Sequence, residues 1–157
     1  MKKKVIFASS SGGHFTELLR LEKLFNDYEY LIVTEKTEVT EAYASKYNME
    51  FLKYGSKYYL FEYIFVFLIN VVKCIQIIIK FKPDTVVTTG AHTGGILCYV
   101  AKILNKNTRI IYIESLAKTK SLSVTGENVY KIADKFYVQW ESLEKKYDKA
   151  EYIGRLM

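Results

Sequence analysis

An α/β fold, with one parallel sheet and helices on both of its faces, is predicted by three observations on these 157 residues. Short β-rich runs alternate with longer helical stretches along the chain, which is how a parallel sheet reads when helices cover it. Two of those runs end in glycine-rich turns, Ser9-Ser10-Ser11-Gly12-Gly13-His14 and Thr88-Thr89-Gly90-Ala91-His92, the second leading into Thr93-Gly94-Gly95. A hydrophobic content of 50% supplies one sizeable core, so a single domain over 1–157 is expected.

Taken in order, the first strand is expected at 4–9. Lys2-Lys3-Lys4 precede it, but the apolar run stops at Ala8 and gives way to serines and glycines, too short for a secretion signal. A helix at 13–26 follows the first glycine turn, then a strand near 29–33, a helix near 37–47 and a strand near 50–53. A long helix is expected over 58–81, closed by Pro83, which lacks an amide donor and restricts the residue before it. Strand 84–88 carries the second glycine turn, and helix 93–106 ends by Asn107. Strand 109–113 is the apolar run Ile110-Ile111-Tyr112-Ile113; helix 126–132, strand 134–138 and helix 140–147 complete the alternation. Glu151 to Met157, with Gly154, ends abruptly, as though the natural continuation of the sheet were missing.

The Tyr58–Lys80 segment is apolar enough to suggest a membrane span. At about 100° per residue, however, Glu62, Asn70, Lys73, Gln76 and Lys80 fall within an arc of roughly 120° and leave some 240° apolar. That is more than a helix covering a sheet needs. The expected role is contact with a membrane surface through Phe61, Phe65, Leu68 and Ile75, with Lys53, Lys57, Lys73, Lys80 and Lys82 nearby for anionic headgroups. A deeply buried core helix is the alternative.

A net charge of +6 favours an anionic partner. The lysines are scattered, with neither an Arg-rich arm nor a nucleic-acid motif, so nucleic acid is not expected. Cys74 and Cys98 form no CxxC pair and suit a reducing compartment. Two histidines without clustered cysteines give zinc too few ligands, and no compact Asp-x-Asp pair is present to bind a metal-nucleotide complex. No metal or cofactor is expected.

The first glycine turn fits neither the phosphate-loop pattern nor the dinucleotide fingerprint. What remains is a strand, a turn and a helix start, where backbone amides and the helix dipole attract a phosphate-bearing ligand. His14 stands at that mouth as a candidate general base on a sugar hydroxyl, and His92 holds the equivalent place in the second turn. Each also suits a structural hydrogen bond. Glu114 follows a central strand and is expected at the carboxyl edge of the sheet, where open parallel sheets bind ligands, with 115–125 as a loop over the site.

Ser10-Ser11-Gly12-Gly13-His14 with Glu17, Pro83-Asp84, Thr88 to Gly94, Ile113-Glu114-Ser115, Ser121-Leu122-Ser123, Thr125-Gly126, Ala133-Asp134-Lys135, Val138-Gln139-Trp140, Tyr152 and Gly154 form one collinear set. Together they resemble the family of the asparagine-linked glycosylation subunit that anchors the second GlcNAc transferase of dolichol-linked oligosaccharide synthesis. Its bacterial counterparts are capsule and exopolysaccharide proteins of the PssD, CpsF and EpsE type. The resemblance implies a Rossmann-like domain equivalent to the amino-terminal, acceptor-binding half of a GT-B glycosyltransferase, made as a separate polypeptide. It further implies a donor-binding partner chain that carries most of the UDP-sugar site.

On this reading His14 and Glu114 are the candidate catalytic residues. Ser11, Gly12, Gly13, His92, Thr93, Gly94 and Gly95 face a polyprenyl-diphosphate-linked acceptor. Galactose is the first expectation for the transferred sugar. The sequence departs from the eukaryotic members in having no apolar anchor before its first strand, so peripheral contact with the cytoplasmic face of the membrane falls to the Tyr58–Lys80 region. Two rival readings stand beside this one: a free-standing nucleotide-sugar or phosphate-ester enzyme, and a membrane recruiter that touches no substrate.

Overall fold

The computed structural model describes residues 2–55 and 60–156, with side chains of the long helix described from Tyr63 onward. Among the described residues the strands are β1 (Lys4–Ala8), β2 (Glu29–Glu35), β3 (Met49–Leu52), β4 (Thr85–Thr88), β5 (Arg109–Ile113), β6 (Lys135–Val138) and β7 (Ala150–Tyr152). All pair in parallel in the order β3-β2-β1-β4-β5-β6-β7. β1 therefore lies near the middle, with Val5 opposite Tyr30 on one side and Thr85 on the other.

The helices are α1 (Gly13–Leu19), α2 (Glu22–Phe25), α3 (Glu38–Glu41), α4 (Leu60–Phe81), α5 (His92–Leu104), α6 (Val124–Tyr130) and α7 (Glu141–Glu144). Phe15, Leu18 and Phe25 from α1 and α2 pack with Val5, Phe7 and Ile32 on one face of the sheet. The opposite face carries Ile6, Val33, Val86, Ile110 and Phe136 under Cys74, Leu97, Val129 and Leu143 of the later helices. Helices on both faces are thus present, as predicted.

Two aspartates set the amino-terminal edge. Asp84 Oδ2 accepts from the Lys4 amide at 2.8 Å, and Asp134 Oδ2 from the Ile110 amide at 2.7 Å. Each stands just before one strand and holds the first turns of its neighbour in register.

Several expectations are corrected. The helix expected over 13–26 divides where Arg20 and Leu21 bond three residues back, to Glu17 and Leu18. The one expected over 37–47 is a single turn: Thr37 caps it, and the Thr40 hydroxyl donates to the Glu35 carbonyl at 2.7 Å. A side chain that satisfies nearby backbone in this way competes with helix propagation. β7 was not expected at all.

On α4 two positions differ from expectation, Asn70 and Ile75. Asn70, placed by sequence on a polar arc, is buried; its amide accepts from Lys53 N and donates to Lys53 O, both at 2.8 Å. Cys74, Ile77 and Ile78 are buried beside it, and burial pushes the Cys74 thiol up to about 12. Outward stand Ile64, Phe65, Leu68, Ile69, Val72 and Ile79, with Phe65 69% exposed and Leu68 55%. Ile75, expected outward, is instead half-buried against the main core. Phe61, expected on the same outward face, has its side chain outside the described residues.

Gly94 lets α5 approach β4. A Cβ there would fall on the Thr88 hydroxyl, which is itself engaged by the Gly90 amide at 3.0 Å. Gly94→Ala is expected to lower stability by about 1–3 kcal/mol through overpacking. In urea unfolding the Gly94→Ala/Thr88→Ala double variant should lose less than the sum of the two single variants, as contacting residues do.

Candidate functional site

β1 and β4 are neighbours whose following helices run to opposite faces of the sheet, and between such strands a parallel sheet opens a crevice at its carboxyl edge. Both glycine turns meet there. The Ser10 amide donates to the Gly90 carbonyl at 2.9 Å, and the Thr93 amide to the Ser10 hydroxyl at 3.3 Å. The Thr89 hydroxyl donates to the His14 carbonyl at 2.7 Å, while His14 Nδ1 lies 2.8 Å from the Thr89 carbonyl. A carbonyl can only accept, so Nδ1 carries the proton, and in the neutral form of the ring Nε2 is the acceptor.

Gly90 is confined by the same contact. Its φ is 88°, and a Cβ would stand 3.0 Å from the Tyr112 hydroxyl and 3.4 Å from the His14 ring. Gly12, at φ 76°, and Gly13 have no heavy atom within 4 Å of where a Cβ would sit. These two face open space beside His14, and there a ligand has room to approach the backbone.

Three glutamates brace the surrounding loops. Glu35, at the end of β2, accepts from the Ser11 amide at 3.1 Å, the Ser11 hydroxyl at 2.8 Å and the Thr93 hydroxyl at 2.9 Å. Glu17 on α1 accepts from the Ser115 hydroxyl and the Leu116 amide, both at 3.1 Å, and from Gln139 Nε2 at 3.3 Å. Glu114 accepts from the Ser115 amide and the Ser123 amide, both at 2.9 Å, and from the Ser123 hydroxyl at 3.1 Å. Ser123 in turn caps α6 by accepting from the Gly126 amide at 2.9 Å.

These contacts reassign several expected site residues. Glu114 does not emerge into the crevice; it is 0% exposed and bound to the 115–123 loop by both oxygens. The hydroxyls of Ser11 and Thr93 are committed to Glu35. Gly94 and Gly95 are closed off, since added carbons would meet Thr88 and, at 2.8 Å, the Thr125 methyl. They serve packing rather than ligand approach. Gly12, Gly13 and His14 remain at the open rim.

His92 lies beside that rim, its ring 5.3 Å from Tyr63 and 5.6 Å from Phe67. It lines an apolar groove with Phe67, Ile96, Tyr99 and Ile103. Glu35 escaped the sequence reading, because its partners lie far away in the chain. Glu17 and Gln139 had been noted only as parts of motifs, without the contact that joins them.

A family model described as "Oligosaccharide biosynthesis protein Alg14 like" matches residues 5–156. The chain belongs to this family. It is 30% identical to the UDP-N-acetylglucosamine transferase subunit ALG14 of Yarrowia lipolytica over 98% of this chain and 81% of that one. The human subunit of the same name is 27% identical over 98% and 82%. A shorter match to the Schizosaccharomyces pombe subunit alg14 is 45% identical over 46% of this chain and 36% of that protein.

Among solved structures, Acinetobacter baumannii MurG superposes with a TM-score of 0.73 at 14% identity, over 89% of this chain and 42% of MurG. UDP-N-acetylglucosamine 2-epimerase from Rickettsia bellii gives 0.73 at 14%, over 100% and 46%. The Alg14-family chain thus has a Rossmann-like α/β fold of the GT-B kind and spans less than half the length of either structure.

Burial raises the pKa of Glu114 above its ordinary 4.5, against the opposing pull of the Ser123 and Ser115 donors. A carboxylate shifted upward on folding stabilises the domain below its unfolded value, and that contribution is lost as pH rises through the folded one. Unfolding free energies measured across this range should therefore show wild type losing stability relative to Glu114→Gln as pH climbs above 4.5.

Proposed function

We propose that this chain is the acceptor-binding, membrane-associating subunit of a two-polypeptide GT-B glycosyltransferase. The subunit corresponds to the amino-terminal half of that fold. The complex transfers a sugar from a UDP-sugar to a polyprenyl-diphosphate-linked saccharide in capsule or exopolysaccharide synthesis. The observation that carries this reading is the pair of cross-bonded glycine turns beside an oriented His14, in a domain less than half as long as the GT-B structures it resembles. The relatives, which are subunits of a UDP-N-acetylglucosamine transferase, support a donor-binding partner. The sugar transferred is set by that partner.

In the proposed reaction an acceptor hydroxyl attacks the anomeric carbon of the donor sugar. The bond to the UDP oxygen breaks on the opposite side, inverting the configuration. His14 Nε2 takes the hydroxyl proton, and the Nδ1 contact with Thr89 keeps the ring in the tautomer this step requires. Gly12 and Gly13 leave the backbone open to the acceptor diphosphate. With the partner present, His14→Ala is expected to lower turnover by roughly 10²–10⁴-fold, and the isolated chain should transfer no sugar. A loss below about tenfold with an intact fold removes His14 from the chemistry, and turnover by the chain alone at the rate of the complex overturns the two-polypeptide reading.

The exposed face of α4 is the proposed membrane contact, at the cytoplasmic surface and without crossing it. Tyr63–Phe81 is long and apolar enough to span a bilayer, with a mean hydropathy of 2.2. Its Asn70, Cys74, Ile77 and Ile78 side is nevertheless buried within the domain. At 100° per residue, Ile64, Phe65, Leu68, Ile69, Val72 and Ile79 share an arc of about 140°, suited to shallow insertion. Phe65→Asp/Leu68→Asp should release the chain from anionic phospholipid vesicles with its circular dichroism unchanged, whereas high salt should release the wild type only in part. Undiminished vesicle binding by the double variant would place the contact elsewhere.

A further inference from the structure

Val138-Gln139-Trp140 and Gly154 belong to the collinear motif set, yet the proposed reaction gives them no part. Gln139 stands directly after β6 and is 1% exposed. Its side-chain amide is engaged at both ends. Nε2 donates to the Glu114 carbonyl at 3.1 Å and to Glu17 Oε2 at 3.3 Å, while Oε1 accepts from the Leu156 amide at 2.7 Å. Three segments remote in sequence, α1, the end of β5 and residues 154–156, therefore meet on one side chain. An inverted amide would set oxygen against two oxygens and its NH2 group against an N–H, so only one orientation serves all three.

Residues 153–156 reach this point by a defined path. The Ile153 amide continues the pairing of β7 with β6 by donating to the Val138 carbonyl at 3.1 Å. Gly154 then turns at a φ of 82°, with nothing within 4 Å of where a Cβ would stand, so the turn and not lack of room calls for glycine. Beyond it the Arg155 guanidinium lies 4.2 Å from the centre of the Trp140 ring. Trp140 Nε1 donates to the Leu116 carbonyl at 2.7 Å, and the Leu116 amide donates to Glu17 Oε1 at 3.1 Å. The segment thus bears on Glu17 by two routes, one through Gln139 and one through Trp140.

Glu17 and His14 are about one turn apart on α1 and share a side of it. The Thr89 carbonyl holds the His14 ring at Nδ1; the hold on Glu17 fixes how α1 is rotated, and hence where Nε2 points. We propose that Gln139 is a positioning residue for His14, and that residues 154–156 are the strap that keeps its amide in the required orientation. The inference rests on the reading of His14 as the base. Without the Leu156 N–H, the buried Oε1 of Gln139 loses its donor, and an acceptor left so is costly enough to turn the amide. Glu17 then loses Nε2, and α1 is held less firmly beneath His14.

The chain has two histidines, so nitrogen-15 spectra of the full chain report the His14 ring directly, with His92 as the internal reference. Leu156→Pro removes the donating N–H at a half-buried position outside the core. Gln139→Met keeps the length of the side chain and removes its three hydrogen bonds. In both variants the His14 Nδ1–H signal should shift and exchange faster with solvent, whereas Leu156→Ala, which retains the N–H, should match wild type. Leu156→Pro keeps the test decisive even where Gln139→Met weakens the fold. With the donor-binding partner present, both should lower kcat by about 10–100-fold, as a misplacement near 1 Å does, with the KM for the UDP-sugar unchanged. In a His14→Ala background, Gln139→Met should cost far less than in wild type, because the two residues act as one unit. An unchanged His14 signal in Leu156→Pro overturns the strap, whatever the activity, and full multiplication of the two losses in the double variant overturns the positioning role. A shifted His14 signal with undiminished turnover overturns the general-base reading and leaves the strap standing.

Discussion

Buried and half-buried carboxylates hold the carboxyl edge of this sheet together. A parallel ladder aligns strands but leaves the loops beyond them without backbone partners. Glu35, Glu17 and Glu114 supply those partners, each accepting from two or more groups on other segments. A buried acceptor left without a donor carries the full cost of its desolvation. The crevice is therefore over-determined: Glu35 ties the first turn to the second, and Glu17 ties α1 to the loop after β5. Glu114 closes that loop onto the cap of α6. Functional groups at the rim inherit this rigidity without taking part in it.

The strands and the glycine turns were legible because their signals are local. Apolar runs, Pro83 and the paired Gly-His endings need no distant information. The role of Glu114 was misread for the opposite reason: its place at the end of β5 follows from sequence, but its closure by Ser123 depends on a returning loop. Ser11 and Thr93 were likewise expected to face ligand, whereas the carboxylate that occupies both comes from β2. β7 has only three residues and one buried side, too little pattern to register.

The long helix keeps its expected outward apolar face, with Phe65 and Leu68 exposed, but departs from the sequence reading at Asn70 and Ile75. A polar arc ordinarily faces water, and the sequence reading assumed so. Asn70 breaks that assumption because the backbone of Lys53 satisfies both ends of its amide, which removes the usual penalty for burial. Gln76 and Lys80, on the same polar arc, stay exposed. The same sequence feature that suggested membrane contact survives, while the individual residue Ile75 moves to the inner side.

The central position of β1 has a consequence for synthesis. His14 is made early, yet the carbonyl that fixes its ring belongs to Thr89, 75 residues later. At ribosomal rates of about 5–20 residues per second, some 4–15 seconds separate the two. During that interval β1 can pair with β2 but not with β4, and the first glycine turn has no fixed shape. The carboxyl edge around His14 thus matures late in the birth of the chain, after α4 with its apolar face has already emerged. A membrane nearby would meet that helix before the crevice exists, so surface contact can precede assembly of the crevice.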